Sequence, residues 1–332
     1  MTGKLKFASI AAVAIAAVGL LLASSGGAVP ASGGTSRDFT STCGVFPSAD
    51  GVPAGSPSLP DQRAWNQDVS ASPVAADSDQ IIDYINSHGD SELHPDFGRN
   101  KKYGIPYVKV GAKTKPVRMK FRYRSESDPG KYKIPLNAPI EGGKKADGDR
   151  HVIAYDTDAC KLYEIFSAFP KGRSWKAVGG AIWDLRSAGL RTAGWTSADA
   201  AGLPIFPGLV RYEEVAEGAI DHAIRVTFES TRDAYINPGS HCAGDTNSAS
   251  APPMGLRFRL KSSYDTSGLT GQAAIIATAL KKYGMINADN GSNWFISGTA
   301  NKGWSNDDLN QLKAIPGNAF EVVQSEAPVV TC

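Results

Sequence analysis

The run DGDRHVIAYDTDACKLYEIF, residues 147–166, gathers four aspartates, a histidine and a cysteine around two short apolar stretches. Asp149 and His151 stand two positions apart, so an extended backbone sets them on one face with Ile153 and Tyr155. An imidazole held beside a carboxylate is raw material for acid–base chemistry. Asp156 and Asp158 have a plainer reading. They belong to a turn, DTDAC, between the strands HVIAY and KLYEIF, because aspartate side chains bind nearby backbone amides. A calcium loop fits poorly here, since Cys160 and Lys161 stand where that pattern needs an oxygen ligand and a glycine.

A second concentration of chemistry spans residues 181–215, where Trp183, Asp184, Trp195, Asp199, Arg211, Tyr212, Glu213 and Glu214 lie among glycines and prolines. Thr196 or Ser197 is expected to cap a short helical turn ending at Gly202, with Asp199 near its positive end. Flat aromatic faces suit pyranose rings, and a pair of carboxylates across a glycosidic bond exchanges the protons of hydrolysis. The candidate carboxylates are therefore Asp184, Asp199 and Glu214, with Asp149 and His151 as an alternative acid–base pair. Trp195, Tyr212, Arg225 and Trp294 are the candidates for holding substrate. In DHAIRVTF, His222 shares a face with Ile224, Val226 and Phe228 and reads as a core histidine. Arg225 falls on the opposite face, free to meet an anionic ligand group. Asn290-Gly291 carries the signal of a type I′ turn, and Trp304, in a polar loop, reads as an exposed platform.

These residues need a frame, and the strand patterns supply one. In VRMKFRYR, Val117, Met119, Phe121 and Tyr123 alternate with Arg118, Lys120, Arg122 and Arg124. GLRFRLK repeats the device, with Phe258 and Leu260 inward if Arg257, Arg259 and Lys261 face out. Were both cationic faces to line one groove, a polyanionic glycan would fit it; a solvated outer face is the ordinary alternative. Half-buried strands need a covering layer. The fold expected is mainly β, an antiparallel two-sheet sandwich of jelly-roll type. Three peripheral helices attach to it, from Ser78 to near Gly89, from Thr270 to Gly284, and from Ser305 to Pro316.

Residues 1–31 read as a signal peptide, with Lys4 and Lys6 before an apolar run and small residues at the cleavage site. No cysteine follows to carry a lipid, so no membrane anchor is expected after cleavage. Residues 32–61 form a Gly/Ser/Pro-rich linker, and 62–332 a single β-rich domain. The formal charge of +2 falls to zero once the leader's two lysines are removed, which names no charged partner. Cys43, Cys160, Cys242 and Cys332 are expected to form two disulfides in one of three pairings. Their wide spacing argues against a zinc site. Walker, nucleophile-elbow, zinc-protease and dinucleotide motifs are absent, so no metal, cofactor, nucleotide or nucleic acid is expected.

The strings APIEGG, GDRHVIAYDTDACKLYEIF, GWTSADAAGLPIFPGLVRYEEV, DHAIRVTF and ALKKYGMINADNGSNWFISG, with LHPDFG upstream and FEVV downstream, resemble a group of exported bacterial proteins from soil organisms. The likeness runs over most of the chain beyond about residue 43 and implies export and one shared architecture. It carries no reaction and no catalytic residue to this chain. The function expected from the residues is cleavage of glycosidic bonds in an extracellular polysaccharide, by a protein that is secreted or associated with the cell wall. A non-catalytic glycan-binding or envelope protein is the alternative. A polysaccharide lyase is the third, favoured if His151, Tyr212 and Arg225 converge without a carboxylate pair.

Overall fold

Strands dominate the computed structural model, which describes residues 64–185 and 190–332. The expected signal peptide and linker lie outside these residues. Four sheets are formed among the described residues. The largest runs in the order β1 (His94–Pro95), β15 (Phe295–Ile296), β10 (Ile224–Phe228), β14 (Met285–Asn290), β13 (Arg257–Leu260) and β16 (Phe320–Val322). A second holds β2 (Tyr107–Val110), β5 (Val152–Asp156), β6 (Lys161–Phe166) and β9 (Gly179–Asp184). The third holds β4 (Lys131–Tyr132), β3 (Val117–Phe121), β8 (Ser174–Ala177) and β7 (Phe169–Lys171). The smallest joins β12 (Pro253–Met254), β11 (Arg232–Tyr235) and β17 (Val330–Thr331).

The expectation of two antiparallel sheets thus meets four sheets of mixed pairing. β1 with β15, β2 with β5, β3 with β8, β10 with β14, and β11 with β12 all run parallel. The hairpin read from HVIAY and KLYEIF does form, as β5 and β6 pair antiparallel with Val152 opposite Ile165. Its turn is built as expected: the Asp156 carboxylate accepts from the backbone N–H groups of Asp158 and Ala159 at 3.1 and 3.0 Å.

The β2–β5–β6–β9 sheet is buried on both sides. Ile153, Tyr155, Leu162 and Trp183 join the main core with Phe206, Val226 and Phe228. The alternate residues Val152, Ala154, Tyr163 and Ile165 join a second core with Tyr132 and Trp175. Alternation along one strand therefore feeds two apolar layers instead of one apolar and one wet face. Each fully buried Leu, Ile or Phe there contributes about 1.5–3 kcal/mol relative to exposure.

Among the described residues the helices are α1 (Ser78–Ser87), α2 (Tyr212–Glu217), α3 (Gly271–Lys282) and α4 (Asn306–Gln311). Ile81, Ile82 and Ile85 bury one face of α1, as their spacing dictates. Ser305 caps α4 by accepting from Asp308 N–H. α2 was not expected; it begins after Arg211 and stops at Gly218, whose φ of 92° is open to glycine at little cost. None of these helices is long and apolar enough to cross a membrane.

Three local readings are corrected. β14 pairs with β10 and β13 rather than with β15, and the positive φ falls on Trp294, at 60°, instead of on Gly291. Trp304 is buried and donates to the Thr299 carbonyl at 2.7 Å, so it offers no exposed platform. The cationic face of β13 turns inward: Arg259 pairs with Glu321 at 2.7 Å, and Arg257 donates to the Tyr283 carbonyl at 2.9 Å. β3 lies in a different sheet, so the two cationic strands form no common sheet face.

Disulfide bonding joins Cys242 to Cys332, and Cys160 is also disulfide-bonded. Cys43 lies outside the described residues. Such bonds persist in oxidising compartments.

Candidate functional site

Two adjoining cavities, of about 430 and 220 Å³, share Asp149, Asp289 and Asn290 in their walls. The larger is also lined by Tyr123, Glu126, Phe166, Thr196, Asp199 and His241. The smaller adds Asp96, Glu141, His151, Arg225, Thr227 and Ser297. The linking residues make one polar cleft of the two.

Arg225 is its centre. β10 carries it next to β14, and the register shifts between Val226 and Thr227, so that Val226 faces Asn287 but Thr227 faces Asp289. A bulge of this kind inserts one residue, here Ala288, and turns the next side chain over. Asp289 thereby arrives on the Arg225 face. The Arg225 guanidinium donates through Nη2 to Asp199 Oδ1 at 2.7 Å and to Asp289 Oδ2 at 2.5 Å, and through Nη1 to Ser297 Oγ at 2.8 Å. Because one nitrogen serves both carboxylates, their two oxygens lie within about 5 Å of each other. One cation between two acids leaves a negative charge in excess. Burial raises the pKa values of both Asp199 and Asp289 despite Arg225. Asp289 keeps 21 % of its side-chain surface, whereas Asp199 keeps none.

His151 sits at the entry to β5. Its Nδ1 meets Glu141 Oε2 at 2.7 Å and its Nε2 meets the Ala198 carbonyl at 3.0 Å. Both partners only accept, so both ring nitrogens carry protons and the ring is an imidazolium. Burial alone would lower its pKa, but the Glu141 charge and hydrogen bond lift it to about 9. Glu141 is correspondingly held below its ordinary value against its own burial. The pairing is anchored twice more: His151 N–H donates to Glu141 Oε2, and Glu141 N–H donates to the His151 carbonyl. An imidazole so occupied is a fixed charge, with no lone pair for a base.

The loop carrying Asp149 is tied by its neighbour. Arg150 donates to the carbonyls of Ala146, Lys144 and Ala168. Asp149 itself has no side-chain hydrogen bond or ion pair among the described residues, and withdrawal from water raises its pKa. Asp96, after β1, is likewise unpartnered; withdrawal from water, then the Glu141 charge, raises it to about 6.

His241 faces the larger cavity from the loop before Cys242. Its Nδ1 lies 2.8 Å from the Ala200 carbonyl, which fixes the proton on Nδ1. Nε2 is left towards Glu126, whose Oε2 is 4.0 Å away. Ser240 N–H, bonded to the Ala201 carbonyl, holds this loop against the Asp199 segment. That segment is a turn rather than the expected helix: Ser197 Oγ accepts from Asp199 N–H at 2.9 Å.

Of the residues expected to act, Asp149, Asp199, His151 and Arg225 meet in the cleft. The others line neither cavity. Asp184 is exposed at the end of β9. Glu214 accepts from Arg211 at 2.5 Å and lies 3.1 Å from His222 Nε2, which together hold its pKa down to about 2 against its burial. Trp294 is fully buried, stacked on Phe320 at 5.2 Å, because the core between β10 and β16 needs its area. Tyr212 packs edge-on to Trp304 at 5.2 Å. Trp195 lies half-buried, 5.6 Å from the Arg191 guanidinium. Arg225 reaches the cleft, but two aspartates already neutralise it, so it is no open anion site.

Sequence reasoning missed Asp96, Tyr123, Glu126, Glu141, His241 and Asp289. The bulge hides Asp289 from any alternating pattern, and His241 sits in a loop without a motif. Compared with family models, curated proteins and solved structures, the chain finds no match.

Proposed function

We propose that the cleft hydrolyses glycosidic bonds, with Asp289 as proton donor and Asp149 as the second carboxylate. The observation carrying this reading is the convergence of Asp149, Asp199 and Asp289 on one cleft around Arg225. Asp289 is the accessible member of a crowded pair whose pKa values are raised, as a general acid requires. It gives its proton to the leaving oxygen as the C–O bond breaks. Asp149, unpartnered, takes a proton from the water whose oxygen bonds to the anomeric carbon. Asp199 and Arg225 position Asp289, and Tyr123, 47 % exposed at the cavity wall, offers a ring face to a sugar. The leader-like first 31 residues and the disulfide support an extracellular polysaccharide as substrate.

Tyr123 and His241 in one cavity are also the residue types a polysaccharide lyase uses, but the surrounding carboxylates oppose the uronate such an enzyme needs. The test is incubation of purified protein with a polysaccharide panel, read by reducing ends and by unsaturated-uronate absorbance. Release of reducing ends is expected, with Asp149→Asn and Asp289→Asn each lowering kcat about 10²–10⁴-fold at unchanged circular dichroism. Unsaturated product would replace hydrolysis with elimination. Retention on a glycan with no product would leave a binding protein.

A further inference from the structure

Counting charges around the cleft separates it from a site for neutral or acidic sugars. Six carboxylates line the joined cavities: Asp96, Glu126, Glu141, Asp149, Asp199 and Asp289. Among the described residues, the cations facing them are Arg225, His151 and, when protonated, His241. Each is already matched. Arg225 is shared by Asp199 and Asp289, His151 is bound to Glu141, and His241 Nε2 faces Glu126 at 4.0 Å. Among the described residues, Asp96 and Asp149 remain without a cation. An anionic glycan would meet this excess as repulsion, and a neutral one would make no use of it.

A second observation points the same way. Asp199 lines the larger cavity, its side chain is closed to water, and its Oδ2 has no hydrogen-bond donor while Oδ1 takes Arg225 through both Nε and Nη2. A buried carboxylate oxygen without a donor is costly to the fold. An ammonium group brings three donors and the missing charge together.

From the unmatched carboxylates and the donor-free oxygen of Asp199, we infer that the cleft selects glycans whose sugars carry a free, protonated amine. This rests on reading the cleft as the glycan site. Asp96 and Asp149 flank the amine in the smaller cavity, and Asp199 offers its donor-free oxygen to an amine in the larger one. Acetylation of the amine removes the charge while keeping the ring, which makes the inference testable on one sugar skeleton.

The experiment is calorimetric titration of Asp289→Asn protein, with the wild-type protein titrated at low temperature as a second background, using a glucosamine tetramer, its fully N-acetylated counterpart and a glucose tetramer. The amine tetramer is expected to bind at least about tenfold more tightly than the other two. Raising the salt concentration should erode that preference. Adding Asp96→Asn should weaken the amine tetramer about fivefold and leave the glucose tetramer unchanged. Equal binding of the acetylated or glucose tetramer, or a preference indifferent to salt, would overturn the inference. Reducing-end release by the wild-type protein is read separately. Amine-selective binding without release removes hydrolysis and keeps the amine; release from neutral glycans without amine preference does the reverse.

Discussion

Replacing Glu141 by Gln removes the anion that keeps His151 charged inside the protein, and the structure sets the size and the pH window of the effect. His151 is 3 % exposed, and its pKa rises from 6.5 to about 9 because the Glu141 charge and hydrogen bond outweigh burial. A folded-state pKa above the unfolded one stabilises the fold fully below about pH 6.5 and loses that contribution as pH climbs through 9. At about 1.4 kcal/mol for each pH unit between the two values, the pair is worth about 3 kcal/mol at its maximum. The Glu141 shift reports the same contact from the other side and is not added. Glu141→Gln should therefore unfold at lower denaturant, with a stability loss of about 3 kcal/mol near pH 6 that shrinks steadily towards zero above about pH 9.

Urea unfolding of both proteins across pH 6–10, at matched m-values, measures this directly. A loss that stays constant across that range would refute the imidazolium assignment. The Gln variant would then merely disturb packing. A nitrogen-15 titration of His151 with a midpoint near 6.5 in the wild-type protein would refute it independently.

Other substitutions test neighbouring parts of the argument. Glu214→Gln should cost about 3 kcal/mol at neutral pH, because a carboxylate held near pKa 2 contributes stability above about pH 4.5 that disappears as pH falls to 2; glycan turnover should be unchanged. A large fall in kcat for that variant would return Glu214 to the chemistry. If Asp289 is the proton donor, kcat/KM should fall as pH rises through a value above the 3.8 of an ordinary aspartate, and a profile flat over pH 4–8 would remove it from that role. Phe228→Ala, in the aromatic group with Phe258 and Trp294, should cost about 3–5 kcal/mol by thermal melting, and a loss under 1 kcal/mol would deny it a central place in the core. Replacing Cys242 and Cys332 by Ser, which opens a link across 90 residues, should cost about 4 kcal/mol; an unchanged melting temperature would show that the segment between them needs no such tie.

What the sequence discloses here is decided by the range of the interactions. The β5–β6 hairpin and α3 were legible because turn chemistry and helical period act over a few residues. The core histidine His222 was legible too, since its neighbours on the strand are apolar. The cleft is another matter. Its side chains come from positions 96, 126, 141–151, 199, 225, 241 and 289, and no local pattern reports which loops meet. A one-residue bulge in β14 moves Asp289 from the core face to the Arg225 face, reversing what alternation says. The tautomer of His241 depends on a carbonyl 41 positions away. Residue type disclosed a capacity for charge, but pairing decided its sign: Arg225, alone in its strand, reads as a seat for an anion. Between Asp199 and Asp289 it becomes a clamp, and the cleft around it is acidic. The charges that recognise a substrate are those left over after the fold has paired the rest, and in this cleft the remainder is carboxylate.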